Sequence, residues 1–204
     1  MIRAIIWLAM LTFSVFIPEN LHAQDNLDHV RSMARDLDAK FKAAKEKISR
    51  FESDSKAYIG ASGGIVEKEG KIASDFDGII KGFREVIEAS SPTGTLALYT
   101  GQLIEAINER IARNKRNGGR ATDIKELQEN IRSLESSIAN TLTLNGEMAK
   151  TLANIVAKEQ LLRDALRREV TAGDLARMLE EINGILRSIT DDGQKLLNAV
   201  TNGV

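Results

Sequence analysis

From Leu27 onward, apolar side chains recur at alternating steps of three and four: Leu27, Val30, Ala34, Leu37, Phe41, Ala44, Ile48 and Phe51. An α-helix turns once in about 3.6 residues, so this spacing gathers all of them on one stripe, whereas a strand would divide them between two faces. The stripe is the a/d seam of a heptad, and it demands a neighbouring rod to cover it. Carried past Ser55 and Tyr58, the same frame lands on Ile65, Ile72, Phe76, Ile79, Phe83 and Val86. Proline, which lacks an amide donor and clashes with the preceding turn, occurs after Pro18 only at Pro92. No sustained alternation of apolar and polar residues marks a strand. The chain is therefore expected to be all-α: an elongated, coiled-coil-like antiparallel bundle of four to five helices.

The interruptions divide the chain. Gly60, Gly63 and Gly64 predict a break or kink in the first seam, because each glycine costs about 1 kcal/mol relative to alanine inside a helix. Ser91-Pro92-Thr93-Gly94 is a stronger stop, and Asn117-Gly118-Gly119 ends the next helix, which carries Leu96, Tyr99, Leu103, Ile107 and Ile111. Asp123 and Glu126 resemble a capping pair ahead of Ile124, Leu127, Ile131, Leu134 and Ile138. The frame weakens at Thr141 and Asn145-Gly146, then resumes through Met148, Leu152, Ile155, Leu162 and Leu166. Unbroken, that helix is about 70 Å long at 1.5 Å per residue. After a turn at Thr171 to Asp174, a last seam holds Leu175, Met178, Ile182, Ile185, Ile189, Leu196 and Ala199, interrupted at Asp191-Asp192-Gly193. The expected helices span about 25–57, 65–89, 95–116, 123–170 and 174–200 within one domain, 24–204.

Residues 1–23 read differently from the rest. A basic start at Arg3, an uncharged run from Ala4 to Ile17, and a polar stretch ending at Ala23 make the three parts of a secretory signal peptide. The apolar run falls short of the roughly 20 residues a membrane-spanning helix needs. Export to a periplasm or the exterior is the expectation. With no cysteine in the chain, stability must come from packing rather than disulfides. A formal net charge of −1, with both signs interleaved, gives no reason to expect nucleic acid as a partner.

The residues that carry chemistry are scarce. His29 is the one histidine after residue 23, it stands beside the seam, and it reads as a solvated imidazole. Asn26, three residues before it, removes the Glu-x-x-His pattern of a di-metal bundle. The acid pairs Glu180-Glu181 and Asp191-Asp192 read as solvated helix faces rather than an acid/base dyad. No enzymatic activity, metal or cofactor is expected.

Three sets of residues invite a role of another kind. Polar side chains on the seams, Ser55, Ser62 and Glu69 in one stretch and Thr141, Asn145 and Glu159 in another, suggest soft middles. A hinge is expected from Gly60, Gly63, Gly64, Asn145 and Gly146. Gly70, Ser74, Gly78 and Gly82 form a stripe of small residues along which another backbone can pack closely. Arg110, Arg113, Lys115, Arg116 and Arg120 form a basic cluster able to contact anions, although cations near a helix C-terminus also complement its dipole. Lys40, Lys42, Lys45 and Lys47 flank the first seam and keep that face wet.

These readings favour an exported, non-enzymatic helical protein that associates through its seams with a protein partner or with itself, as a structural or accessory component of an envelope or secreted assembly. Accessory subunits of secretion or conjugation machinery share that general layout, by analogy of architecture only. The alternative is a membrane-active protein that exposes the glycine-rich segment 58–66. The charges that follow it, Glu67 to Asp77, weigh against membrane contact.

Overall fold

The computed structural model describes residues 21–60, 65–168 and 170–203, and the side chains of 27–55, 57, 70–168 and 170–201. These residues form five helices and no strand: α1 (Leu21–Gly60), α2 (Ile65–Ala89), α3 (Thr95–Arg116), α4 (Ala121–Arg167) and α5 (Ala172–Gly203). The expected leader falls almost wholly on residues 1–20, outside the described ones, as do Gly63 and Gly64. None of the helices is long and apolar enough to cross a membrane.

Cross-helix contacts give the topology. Phe51 meets Phe76 and Phe41 meets Phe83, so α2 runs antiparallel to α1. Beyond the turn at residues 90–94, His29 meets Tyr99 in the same falling register, so α3 continues the line of α2 along α1. The two shorter helices make one interrupted rod. α4 returns antiparallel to it, with Arg163 beside Asp77 and Asn145 beside Ile87. α5 then runs back between α4 and α1, fixed by Lys158 to Glu181 on one side and Ser55 to Asn183 on the other. Each line touches two neighbours, and α1 and α4 lie across the diagonal of a four-cornered, up-down-up-down bundle.

Heptad-spaced residues fill its interior. Val30, Ala44, Phe51, Ile72, Phe76, Ile79, Phe83 and Val86 have no exposed surface, and Leu27, Leu37, Phe41 and Ile48 are nearly as covered. Burying each such side chain removes apolar surface from water at about 25 cal/mol per Å², which drives the rods together. α5 corrects the reading of its seam. Met178 and Ile185 are only half-buried, whereas Leu179 and Leu186 are completely covered. The buried frame is Leu175, Leu179, Ile182, Leu186, Ile189 and Leu196, offset by one residue at two positions. Both sets fit a helical period, and the angle at which α5 sits between α1 and α4 chooses between them.

The expected interruptions also resolve. Gly193 does not break α5; it is buried, and a Cβ placed there would overlap the Phe41 ring. The missing side chain is the socket for that ring. α4 likewise runs unbroken through Asn145-Gly146. Where helices do end, the local chemistry is plain. Gly118 takes φ 70°, the left-handed conformation that closes α3, and the Gly119 amide donates to the Asn114 carbonyl. Asp123 is no cap, because α4 starts two residues before it, with Arg120 at the N-cap. Its carboxylate instead accepts from the Arg120 Nε at 3.1 Å. Thr171 does cap α5: its Oγ1 accepts from the Asp174 amide at 3.1 Å and donates to the Asp174 carboxylate at 2.8 Å.

Candidate functional site: the polar break and the basic tip

α2 ends because Pro92 cannot continue it, and the chain re-enters a helix at Thr95 through a turn too tight for a side chain at Gly94. A Cβ there would lie 2.5 Å from the Glu88 carbonyl oxygen and 2.6 Å from that of Ala89. Such an ending leaves carbonyl groups facing the interior, where an unpaired acceptor is costly. The Val86 and Glu88 carbonyls still receive backbone amides, from Ser90 at 3.1 Å and Ser91 at 3.3 Å, and the Ile87 carbonyl between them is left to a side chain. Ser90 Oγ donates to the Val86 carbonyl at 2.7 Å, and Asn145 Nδ2, reaching across from the middle of α4, donates to the Ile87 carbonyl at 2.6 Å and to Ser90 Oγ at 2.9 Å. Asn145, polar at a seam position, is therefore the partner of the break in the facing rod.

Immediately beyond Asn145 the core loosens. Ser90, Leu96, Ala97, Thr100, Ser137 and Thr141 are among the residues around a partly enclosed cavity of about 20 Å³, room for about one water. Three of its hydroxyls are satisfied within their own helices: Thr100 donates to Leu96, Thr141 to Ser137, and Ser90 to Val86. Ser137 instead donates to the Ala199 carbonyl at 2.6 Å, tying α4 to the last turns of α5. With the hydroxyl protons already committed, the cavity offers acceptor oxygens set among apolar side chains.

The other polar seam residues pair elsewhere. Ser55 Oγ accepts from Asn183 Nδ2 at 3.2 Å, and one helical turn along Arg187 Nε donates to Glu52 at 2.9 Å. Ser55 thus faces α5 and Asn145 faces the α2–α3 turn, while Ser62 and the Glu69 side chain lie outside what the structure describes. Glu159, 6 % exposed, is held by Arg163, whose guanidinium also lies 3.5 Å from Asp77 of α2. That bridge closes one side of an open groove between α2 and α4 that Ile80, Lys81, Arg84 and Val156 also line. The groove mixes both signs of charge and gives no single ligand a preference.

The acid pairs lie on solvent-facing sides of α5, with Glu180, Glu181 and Asp191 exposed and Asp192 half-buried, and one member of each reaches across to α4. The Lys158 ammonium, hydrogen-bonded to Glu181 at 2.7 Å, holds that carboxyl below its ordinary value of 4.5, helped by the charge of Arg177. Asp192 accepts from Thr151 of α4 and from Lys195. His29 is exposed, beside the seam as expected, and its ring also stacks on Tyr99, with centroids 4.9 Å apart and planes 20° from parallel. Sequence spacing alone had no means of finding that contact, because it joins α1 to a helix beyond two turns. Among the described residues no cluster of three or more His, Asp or Glu side chains could hold a metal.

The small-residue stripe divides. A Cβ on Gly82 would sit 2.9 Å from the Ala44 Cβ, and one on Gly78 would touch the stem of Lys47, whose ammonium donates to the Gly78 carbonyl at 3.0 Å. Gly70 has nothing near it and Ser74 is exposed. The close approach thus occupies about one turn of α2. Of the hinge residues, Gly60 is the last of α1, and Asn145 and Gly146 lie inside α4.

The structure does bring the basic cluster together. Arg113, Lys115 and Arg116 occupy the final turn of α3, and Arg120 precedes α4, so all four surround the hairpin loop and all are exposed. Arg120 pairs with Asp123, and Arg116 Nε reaches back to the Ala112 carbonyl at 3.4 Å. Arg110 lies a turn away and half-buried. No family model, no curated protein and no solved structure matches the chain.

Proposed function

We propose that the chain is an exported, non-enzymatic helical component of an envelope or secreted assembly, working by association with a protein partner or with further copies of itself. The observation that carries this reading is the rod: four helical lines close on one another along a molecule whose longest helix has 47 residues, about 70 Å. A closed rod fixes the distance between its ends, which is what a spacer or docking element needs. The heptad-spaced side chains give it a coiled-coil-like interior. Because those side chains lie inside the chain's own bundle, association falls to the flanks, where Leu98 and Leu161 are the most exposed large apolar residues, at 57 % and 55 %. No observation among the described residues favours membrane activity of segment 58–66.

Light scattering on the purified chain, together with photo-crosslinking residues placed at Leu98 and Leu161 in the native host, tests the reading. A discrete adduct of reproducible mass from either position, or a stable oligomer, is expected. A monomer with no adduct at either position overturns it.

A further inference from the structure

We propose that the side of the rod formed by the α2–α3 line and α4 is where two copies of the chain meet, antiparallel and related by a two-fold axis; this deepens the association proposed above and rests on it. Charges are interleaved along most of the protein, yet residues 89–104 carry none, and neither do residues 136–146. The two stretches lie side by side. Asn145 reaches Ile87, and Thr100 and Ser137 line one cavity, so the break and the start of α3 are level with the uncharged part of α4. On this side Leu98 is 57 % exposed, Gly101, Ala139 and Gly146 are exposed and small, and the seam residue Ile138 is only half-buried. Few charges and apolar groups left open to water mark the centre of a protein interface. The face is about 24 Å along the rod and two helices, about 20 Å, across, the size of a reversible contact.

The charges at its rim choose the occupant and its direction. Glu88 and Arg132 each stand about nine positions before the middle of their stretch, and Glu105 and Lys150 about nine after it. Because α4 runs opposite to the α2–α3 line, a second copy turned end over end sets α4 of one against α2–α3 of the other, with before facing before and after facing after. Glu88 then comes level with Arg132 of the second copy and Glu105 with its Lys150, each pair occurring twice by symmetry. Farther out Arg84 comes level with Glu129, which in its own chain holds only Lys125, at 3.8 Å. Glu135 and Glu147, at the borders of the α4 stretch, fall opposite Ser91 and Gln102, both able to donate to a carboxylate. Among the described residues Glu88, Glu105, Arg132 and Lys150 are exposed and have no ion-pair partner in their own chain. A parallel second copy instead sets Glu88 against Glu147 and Arg84 against Lys150, like against like.

The test is sedimentation equilibrium of the full chain, as recovered from the cells that make it, over a range of concentration and salt. A reversible dimer that weakens with salt is expected. Ala139→Glu puts a charge at the middle of the face and is expected to weaken the dimer at least about tenfold. Leu161→Glu, about 20 Å beyond the uncharged stretch along α4, is expected to leave it unchanged. Glu88→Arg and Arg132→Glu are each expected to weaken it about tenfold and, combined in one chain, to restore it. Within one chain those two residues lie about 20 Å apart, so only a contact between copies gives that rescue. Circular dichroism of each variant separates lost association from lost folding. A dimer indifferent to Ala139→Glu, a double variant no better than the single ones, or a chain that stays monomeric overturns the proposal. If a monomeric chain still gives a discrete crosslinked adduct with another protein at Leu98 or Leu161, the association proposed above stands and this face alone is refuted; a monomer without an adduct refutes both.

Discussion

The two ends of this rod are packed by different means. Around the α1–α2–α5 contact, Phe41, Phe51, Phe76 and Phe83 are sealed together, and the backbone gives way to them at Gly193. Past the break at residues 90–94 the described residues bury no phenylalanine; aliphatic side chains such as Leu96, Leu103, Ile107 and Leu134 fill the core there, and beside the break they are joined by buried hydroxyls, an asparagine and a small cavity. One end is held by fitted rings, where every added or removed atom matters, and the other by aliphatic packing with paired polar groups around a space left over. The contrast shows how one bundle can tolerate an interrupted helix: the aromatic end supplies the stability, and the polar end accommodates the break.

The largest effect should come from the aromatic end. Phe41→Ala removes a ring that is 1 % exposed and edge-on to Phe83, and is expected to lower unfolding free energy by about 3–5 kcal/mol in a denaturant titration. Gly193→Ala is more discriminating, since alanine favours a helix over glycine. Here its methyl group meets the Phe41 ring, and a loss of about 3 kcal/mol is expected, partly recovered when Phe41→Leu is added. A stabilised Gly193→Ala protein would erase the distinction between the ends.

On the polar side, Asn145→Ala strands the Ile87 carbonyl and should cost about 2 kcal/mol. Ala97→Val adds carbon beside the cavity and should raise the thermal midpoint slightly, by about 0.5 kcal/mol of stability, where a comparable addition at the aromatic end would be harmful. The smallest effect belongs to Glu181, which is fully exposed. Lys158 lowers its pKa in the folded chain, so what the pair adds is present above about pH 4.5 and fades as pH falls through the lowered folded value. NMR titration of the Glu181 carboxyl should place its midpoint below 4.5 in the wild type and return it toward 4.5 in Lys158→Gln.

Much of the bundle was legible from spacing. The seam from Leu27 to Phe51 and the run from Ile72 to Val86 are buried along their whole length, because a heptad frame leaves only one face to cover. Pro92 and the paired glycines at 118 and 119 end helices for reasons that act within a few residues. What spacing could not supply is the identity of neighbours. Met178 and Leu179 are equally apolar, and which of them points inward depends on where α1 and α4 stand. Asn145 looked like a weak point in its own helix, and its meaning came only with the carbonyl group it meets on α2. The basic cluster was visible as composition, and its residues meet around one loop because Asn117-Gly118-Gly119 turns the chain from α3 into α4.

The broken line carries a dynamic consequence. α1 and α4 run through as single helices, whereas the line between them is interrupted at residues 90–94, where a side chain caps a backbone carbonyl and a small cavity replaces close packing. Looser packing lowers the free energy of local opening, so amide protons near Ala97 and Thr100 should exchange with solvent sooner than those near Phe83 or Ile189. The break then marks where the bundle opens and recloses first while the aromatic half stays intact.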